Sequence, residues 1–229
     1  MHNDECLVEL INVHKCFGAT EVLKGIDLTI KQGDFVSIRG KSGAGKTNLF
    51  KIIGLLETPN DGTVNIFGKD TSTLNDDQKT DLRLKQMGLV FQFFNLLPSL
   101  TVLENIELPM ALFGTKKPQR QERANELLEF FDITKLAERY PENLSGGERQ
   151  RIAIIRALVN YPSMLLADEP TASLDDENSD LLLDLLSKIC REQKVTVVLT
   201  STDLYEMLPT SKDYLLKDGK IHQHVRSHL

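Results

Sequence analysis

The segment from Gly40 to Thr47, GKSGAGKT, has the residue types needed to bind a polyphosphate. It matches the pattern G-x-x-x-x-G-K-S/T, with a strand-like run before it and a helix-like run after it. The glycines let backbone N–H groups turn inward toward phosphate oxygens, and the following helix start adds a positive end. We expect Lys46 to reach the β and γ phosphates and Thr47 to bind Mg²⁺. The predicted nucleotide-binding residues of this segment are Gly40, Lys41, Ser42, Gly43, Ala44, Gly45, Lys46, Thr47 and Asn48.

Two neighbouring acids follow a second apolar run, in the segment MLLADEP. Neighbouring residues at a strand end point in different directions, so Asp168 and Glu169 are suited to different tasks. Asp168 is predicted to orient Mg²⁺, and Glu169 to act as the general base that polarises an attacking water.

The segment LSGGERQR, from Leu144 to Arg151, has the features of a second anion-binding helix start. A serine is a good helix N-cap, and two glycines after it leave backbone N–H groups accessible. One nucleotide does not need two such helix ends from one chain. We therefore predict that this helix start completes the site of another copy. The residues concerned are Ser145, Gly146, Gly147 and Glu148.

The rest of the pattern predicts an α/β core with a helical insert. The segments CLVELINV and GIDLTI alternate apolar and polar residues, as half-buried strands do. SMLLADE and VTVVLT are continuous apolar runs, which is typical of strands covered on both faces. From residue 95 to residue 160 the pattern is helical, and we expect breaks at Pro98, Pro109, Pro118 and Pro141. YLLKDGKIHQ predicts a closing hairpin with Asp218 and Gly219 at its turn.

Composition narrows the functional classes. The chain has 229 residues and a net charge of -6, which gives no electrostatic case for binding nucleic acid. Its three cysteines have no metal-binding spacing and indicate reduced thiols in a cytosolic protein. The acidic start MHNDEC lacks the apolar run of a signal peptide. The apolar runs are too short to cross a bilayer, so we expect any membrane role to require a partner.

Taken together, these motifs resemble the ATP-binding subunits of ABC transporters over nearly the whole chain. GKSGAGKT matches the family's phosphate loop, LSGGERQR its signature, and MLLADEPTASLD its Walker B and D-loop segments. VFQFFNLLPSLTVLENIELPM resembles the Q-loop and the helical subdomain that docks on membrane partners. The sequence of this segment is most similar to that of the lipoprotein-release and macrolide-exporter subfamily. The resemblance implies an α/β P-loop NTPase core, with a mixed sheet covered by helices on both faces, an antiparallel β subdomain and an inserted α-helical subdomain.

The same resemblance implies a division of the chain and three further site residues. Residues 1–229 would form one ABC ATPase domain, with residues 1–91 and 161–229 as the core and 92–160 as the helical subdomain. Phe17 would stack on adenine, although the family more often has Tyr there; a core Phe is the alternative. Gln92 would contact Mg²⁺ or the attacking water, and an exposed polar residue at a strand end is the alternative. Asp175 would couple the two nucleotide sites of a dimer, a role compatible with capping a helix.

The strand end LTSTDL departs from the family pattern. Laid on that pattern, Asp203 and Ser201 match, whereas Thr202 stands where the family has its switch histidine. The histidine reaches the γ phosphate, but a Thr hydroxyl is too short for that reach and cannot carry charge. Losing one such donor can cost on the order of 10²–10³ in rate, so we expect binding to survive and hydrolysis to suffer. The alternative is that Thr202 or Ser201 acts through a bridging water.

The resemblance implies an ATP-hydrolysing transporter subunit, peripheral at the inner face of the cell membrane. ATP and Mg²⁺ would be its cofactors, and its partners would be a transmembrane permease subunit and a second ABC subunit. A homodimer is the expectation and a heterodimer the alternative. Two other functions stay open: an ABC switch that binds ATP but hydrolyses it slowly or not at all, which Thr202 favours, and a soluble ABC ATPase without a transport role. The soluble ATPase without a transport role lacks support, because this chain has neither two cassettes nor a long coiled coil.

Overall fold

A computed structural model describes residues 5–204 and 208–223 of the chain. Its strands are β1 (Cys6–Phe17), β2 (Thr20–Lys31), β3 (Phe35–Arg39), β4 (Asp61–Ile66), β5 (Lys69–Asp70), β6 (Met87–Val90), β7 (Met164–Ala167), β8 (Thr196–Ser201), β9 (Lys212–Lys217) and β10 (Lys220–Gln223). Its α-helices are α1 (Lys46–Ile53), α2 (Asp76–Gln86), α3 (Val102–Leu112), α4 (Lys117–Phe130), α5 (Gly146–Leu158) and α6 (Asp176–Gln193).

The strands form two sheets. One is antiparallel with the order β2-β1-β4-β5, and the other has the order β10-β9-β3-β8-β7-β6. In the larger sheet β9, β3, β8, β7 and β6 run parallel, and β10 closes the edge as an antiparallel hairpin with β9. The mixed sheet, the separate antiparallel sheet and the helices between β6 and β7 confirm the predicted α/β class. The predicted hairpin with Asp218 and Gly219 between its strands is also confirmed.

Two apolar cores cover the two faces of the larger sheet. Val36, Ile38 and Val198 point into the core shared with α1 and the antiparallel sheet. Phe35 and Val197 point the other way, into the core shared with α3 to α6. This explains why β3 and β8 are apolar at nearly every position, since a strand covered on both faces has no solvent side. Because both faces of the sheet are apolar, polar side chains lie at its carboxyl edge.

The helices α3, α4 and α5 lie between β6 and β7 in the chain order. The prediction that Pro109 breaks the helical pattern is wrong, because it lies inside α3. Proline removes one N–H donor, but α3 continues only three residues further, and Phe113 N–H still donates to Pro109 O at 3.0 Å. Pro118 stands in the first turn of α4, where its missing N–H costs nothing, and Pro141 begins a short 3-10 helix.

One buried ion pair lies under the carboxyl edge. Arg39, at the end of β3, donates from Nε to Asp213 Oδ1 at 2.9 Å, and both side chains are 5% exposed. Ser37 Oγ donates to the same oxygen at 2.6 Å. Arg39 Nη1 also donates to Asp203 O at 3.2 Å, so the guanidinium holds the segment that follows β8.

Across the two described ranges, none of the helices is long and apolar enough to pass through a bilayer.

Candidate active site

The phosphate loop follows β3 directly and leads into α1. Gly43 and Gly45 have φ angles of 78° and 103°, in the left-handed region that favours glycine. A Cβ at Gly45 would lie 2.9 Å from Val22 Cγ1, so the position has no room for a side chain. The chain turns sharply there, and α1 begins at Lys46 with Gly45 as its N-cap. Its first N–H groups therefore face the interior of the loop.

Lys46 is buried, at 4% exposure, beneath this loop. Its ammonium donates to Gly40 O at 2.8 Å and to Lys41 O at 3.3 Å. It also lies 3.2 Å from Glu169 Oε1, and the Glu169 side chain is 15% exposed. The loop carbonyls thus fix the cation in place, and the predicted general base stands beside it.

Asp168 is held by two hydroxyl groups at the carboxyl end of β7. Thr47 Oγ1 donates to its Oδ2 at 3.0 Å, and Thr200 Oγ1 donates to its Oδ1 at 2.6 Å. Its own N–H donates to Val90 O at 2.9 Å, which continues the pairing of β6 with β7. A hydroxyl and a carboxylate oxygen side by side are hard oxygen ligands of the kind that Mg²⁺ prefers, so these residues fit the ion.

Glu169 has a φ of 46°, which is uncommon for a residue with a side chain. Two hydrogen bonds hold this conformation: Glu169 N–H donates to Thr200 Oγ1 at 2.9 Å, and Ala172 N–H donates to Glu169 O at 3.2 Å. The turn separates the carboxylate from that of Asp168. One acid points to Thr47 and the other to Lys46, as expected for different tasks.

Thr200 is the residue of this site that the sequence argument missed. Its side chain, 1% exposed, contacts both acidic residues through one hydroxyl. The signal lay in the register: β7 and β8 are parallel neighbours in which Ala167 pairs with Leu199, so residue 200 stands beside residue 168. In the segment LTSTDL the sequence argument assigns a role to Thr202, with Ser201 as an alternative, and none to Thr200.

Thr202 lies beyond the end of β8 and is exposed. It lines a cavity of about 390 Å³ together with Glu169, Ser179 and Asp203. Within the part of the chain that the structure describes, the Thr202 hydroxyl has no hydrogen bond. The structure therefore brings Thr202 to the same cavity as the predicted base, without a hydrogen bond between these two described residues.

Gln92 follows β6, two residues past Val90, and is partly exposed. Because β6 pairs in parallel with β7, Gln92 lies at the same carboxyl edge as the acidic pair. Among the described residues its side chain has no hydrogen bond to Asp168 or Thr47. The backbone after it turns through Phe94 and Asn95, both with positive φ, and Arg156 of α5 donates to both carbonyl oxygens at 2.8 and 2.6 Å.

The signature segment begins α5 with a capping box. Glu148 N–H donates to Ser145 Oγ at 3.2 Å, and Ser145 N–H donates to Glu148 Oε2 at 2.7 Å. That second bond lowers the pKa of the Glu148 carboxyl. In the described ranges no hydrogen bond or ion pair joins residues 145–148 to the phosphate loop. The chain thus presents two separate sets of N–H groups at helix starts.

Asp175 is the N-cap of α6 and accepts hydrogen bonds from Asn178. Its Oδ1 lies 2.8 Å from Asn178 N and 2.9 Å from Asn178 Nδ2. The backbone bond, followed by the side-chain bond, lowers the pKa of the Asp175 carboxyl. Asn178 also lies against the signature, since a Cβ at Gly147 would be 3.1 Å from Asn178 Oδ1. The predicted capping role is confirmed, and the starts of α5 and α6 are neighbours.

Phe17 ends β1 at the hairpin that leads into β2. Its ring is 49% exposed, and Lys15 Nζ lies 5.2 Å from the ring centroid. Phe17 pairs with Thr20, and residues 20–22 together with residues 41–44 line a cleft of about 580 Å³ beside the phosphate loop. The aromatic residue therefore stands at the rim of that cleft, with its ring available for contact.

Comparisons with known proteins agree with these features. A family model described as ABC transporter matches residues 23–172. The lipoprotein-releasing system ATP-binding protein LolD of Porphyromonas gingivalis is 40% identical over 215 residues, covering 93% of this chain and 97% of the relative. The uncharacterized ABC transporter ATP-binding protein MJ0796 of Methanocaldococcus jannaschii is 41% identical over 223 residues, covering 94% and 95%.

A solved structure has the same fold. The dimeric post-hydrolysis state of the ATP-binding cassette MJ0796 bound to ADP and Pi superposes with a TM-score of 0.87 at 40% identity. The match covers 95% of this chain and 98% of that chain. The similarity therefore extends across both sheets and the helices between them.

Proposed function

The chain belongs to the ABC transporter family and is an ATPase of that family, and from this premise we propose that it energises a separate membrane permease. The observation that carries the proposal is the convergence of Lys46, Thr47, Asp168 and Glu169 at one edge of the sheet. A phosphate loop, a metal-binding pair of oxygens and a base beside the loop cation are the parts that phosphoryl transfer to water requires.

ATP binding would use the loop and the residues around it. The N–H groups of residues 43–48 and the Lys46 ammonium would bind the β and γ phosphates, while the Phe17 ring would stack on adenine. Mg²⁺, held by Thr47 and Asp168 with Gln92 nearby, would offset the charge of the phosphate oxygens. These residues fit the ion because their oxygens already converge, with Thr47 Oγ1 3.0 Å from Asp168 Oδ2.

Hydrolysis would use Glu169 as the base. The oxygen of a water bonds to the γ phosphorus, the bond from that phosphorus to the bridging oxygen breaks, and Glu169 takes the proton, leaving ADP and phosphate. Glu169 Oε1 lies 3.2 Å from Lys46 Nζ, so a γ phosphate bound by Lys46 would stand next to the base. The positioning of charge, rather than covalent chemistry, would supply most of the acceleration.

A second ABC subunit would complete each site. The signature N–H groups of Gly146 and Gly147 are not joined to the phosphate loop by any hydrogen bond in the described ranges, so they are available to the nucleotide of another copy, whereas Ser145 N–H already donates to Glu148 Oε2. The relative MJ0796 is dimeric with ADP and Pi bound. We therefore propose a head-to-tail dimer that closes on ATP and opens after hydrolysis, with Asp175 near the contact between the copies.

A slowly hydrolysing switch is the second candidate, and Thr202 favours it. The residue shares a cavity with Glu169 but offers only a short hydroxyl where a longer donor would reach the γ phosphate. Nucleotide binding and dimer closure would be retained, and the chemical step would be slow.

The permease would dock beside the Gln92 segment, and the chain would then be a peripheral protein at the inner membrane face. A groove of about 380 Å³ with mostly apolar walls lies there, and its lining includes Leu84, Leu89 and Phe91. Next to the groove, the apolar Phe93 side chain is 80% exposed, as expected of a residue that contacts a partner. Arg156 lines the same groove and bonds the segment after Gln92, so a docked permease would contact the group that holds this segment.

The nucleotide site is tested by Lys46→Ala. The variant loses the buried ammonium, and we expect calorimetry to detect no Mg-ATP binding, whereas the wild type binds. Lys51→Ala is the matched control, because Lys51 is a lysine in the last turn of α1, away from the phosphate loop. Unchanged affinity in Lys46→Ala would refute the assignment of this loop to the nucleotide.

A further inference from the structure

Thr200 occupies a place in the site that no motif assigns to it. It is the fifth residue of β8 and is 1% exposed, with apolar Ile38 beside it on β3 and Asp168 beside it on the β7 side. It pairs with Ile38 of β3, and its side chain shares the sheet face of Val198 and α1. A valine has the same β-branched shape as threonine. The hydroxyl is therefore a feature that packing alone does not require.

The direction of the two Thr200 hydrogen bonds follows from its chemistry. A threonine hydroxyl has one proton to donate and lone pairs that accept. A backbone N–H can only donate, so Thr200 Oγ1 accepts from Glu169 N at 2.9 Å. Its one proton goes to Asp168 Oδ1 at 2.6 Å, a short distance typical of a charge-assisted bond. The single proton and one lone pair of the hydroxyl are thus used, and the hydroxyl connects the two acids.

The connection constrains both acids at once. Asp168 has Oδ1 on Thr200 and Oδ2 on Thr47, so its carboxylate plane is fixed from both sides. Glu169 has its N–H on Thr200, in a backbone conformation with a φ of 46° that needs such support. Without the hydroxyl, the Asp168 carboxylate would keep only the bond from Thr47, and the turn that aims Glu169 would lose one of its two bonds.

We propose that Thr200 is a positioning residue for ATP hydrolysis, which holds Asp168 in the orientation that receives Mg²⁺ and Glu169 in the turn that aims it at the attacking water. The inference rests on the proposed function of the site. Thr200 touches neither nucleotide nor metal; it acts through the residues that do. Groups of this kind commonly change metal affinity or activity by about 10–100-fold when they are removed.

The test compares Thr200→Val with a matched control from the same strand. Thr196 is also buried and also accepts a backbone N–H, from Gly33 at 2.8 Å, but it stands at the far end of β8. Thr196→Val therefore removes a comparable hydrogen bond away from the site. Thr200→Ser keeps the hydroxyl and removes only a methyl group, which makes it the rescue variant.

Two readouts separate positioning from stability. The first is steady-state hydrolysis over a range of Mg-ATP concentrations, from which kcat and KM are determined separately. The second is calorimetric binding of ADP, with Mg²⁺ and with EDTA. In Thr200→Val we expect kcat to fall by about 10–100-fold with KM within about 3-fold. The gain in ADP affinity that Mg²⁺ gives the wild type should shrink, while binding in EDTA should stay unchanged. Thr200→Ser should keep kcat within about 3-fold, since it retains the bond.

Thr196→Val should lower the melting temperature without changing kcat or the effect of Mg²⁺. The inference would be overturned if Thr200→Val kept the wild-type kcat and Mg²⁺ effect, or if Thr196→Val reproduced its losses. It would also be overturned if Thr200→Ser were as impaired as Thr200→Val. A wild type that hydrolyses ATP while Thr200→Val matches it refutes this inference alone. A wild type that binds no nucleotide refutes the proposed function as well.

Discussion

The substitution Thr202→His tests whether the cavity beside Glu169 lacks a donor for the γ phosphate. Thr202 is exposed, bears no hydrogen bond within the described residues and lines a cavity of about 390 Å³, so an imidazole can enter without displacing a packed wall. The neutral ring still offers one N–H donor, and it extends further from the backbone than a hydroxyl does. The substitution therefore adds reach and a donor while leaving the phosphate loop unchanged.

The magnitude follows from the position of the new donor. A well-placed donor that acts in the transition state is worth about 10²–10³ in rate, or roughly 2.7–4 kcal/mol. The segment after β8 is held by Arg39 through Asp203 O, in a geometry set for Thr, so the ring will not be placed ideally. We expect about a 10-fold gain in the single-turnover rate, which corresponds to about 1.4 kcal/mol. ATP affinity should barely change, because the donor acts as charge develops in the transition state.

The assay is single-turnover hydrolysis of labelled ATP with enzyme in excess, supported by calorimetry of nucleotide binding. Ser179→His is the matched control, since it adds an imidazole to the same cavity from α6 and should not raise the rate. Thr202→Ala completes the set. An alanine variant equal to wild type indicates that the hydroxyl is idle, whereas a much slower one indicates that Thr202 already acts through water.

The reasoning would be refuted if Thr202→His hydrolysed ATP more slowly than wild type, or if Ser179→His gave the same gain. In the first case LTSTDL is a working arrangement of its own. In the second, the gain comes from filling the cavity and carries no information about the γ phosphate.

The remaining predictions concern assembly. Glu169→Gln removes the base and also the charge that pairs with Lys46 at 3.2 Å, so it should bind ATP without turning it over and run as an ATP-dependent dimer in size exclusion. A monomer at saturating Mg-ATP, in both wild type and variant, would contradict self-sufficient dimerisation. Leu84→Asp places a charge in the apolar groove beside Phe91 and should abolish co-purification with the permease, while ATP binding remains. Ile11→Asp, at an exposed apolar residue of β1, is the control, and equal losses in both would argue against docking in the groove.

Much of the site could be predicted from the sequence because its motifs are local. The phosphate loop, the acidic pair and the signature each lie within eight residues of chain, and their glycines and caps have fixed spacings. The α/β class followed from the alternation of apolar runs with helical segments. The N-cap role of Ser145 followed from a serine placed directly before the helical segment.

Contacts between distant segments were not predictable in the same way. The Arg39–Asp213 pair joins residues far apart in sequence, and either residue alone is an ordinary charged residue. Arg156 of α5 likewise donates a hydrogen bond to the segment after Gln92, which is distant from it in sequence. Pro109 misled the prediction because proline penalises a helix only by the bonds that it removes, and near the end of α3 that is a single bond.

The polar strand end after VTVVL shows why adjacency in sequence hides a division of tasks. Successive residues of a strand point to opposite faces. Thr200 points to the face of α1 and bonds both acids, whereas the Ser201 hydroxyl accepts from Asp203 N–H at 3.1 Å and closes the turn. Thr202 lies beyond the strand, where neither face confines it, and it opens onto the cavity. A substitution at residue 200 therefore changes how Asp168 and Glu169 are held. A substitution at residue 202 changes which side-chain group shares the cavity with Glu169.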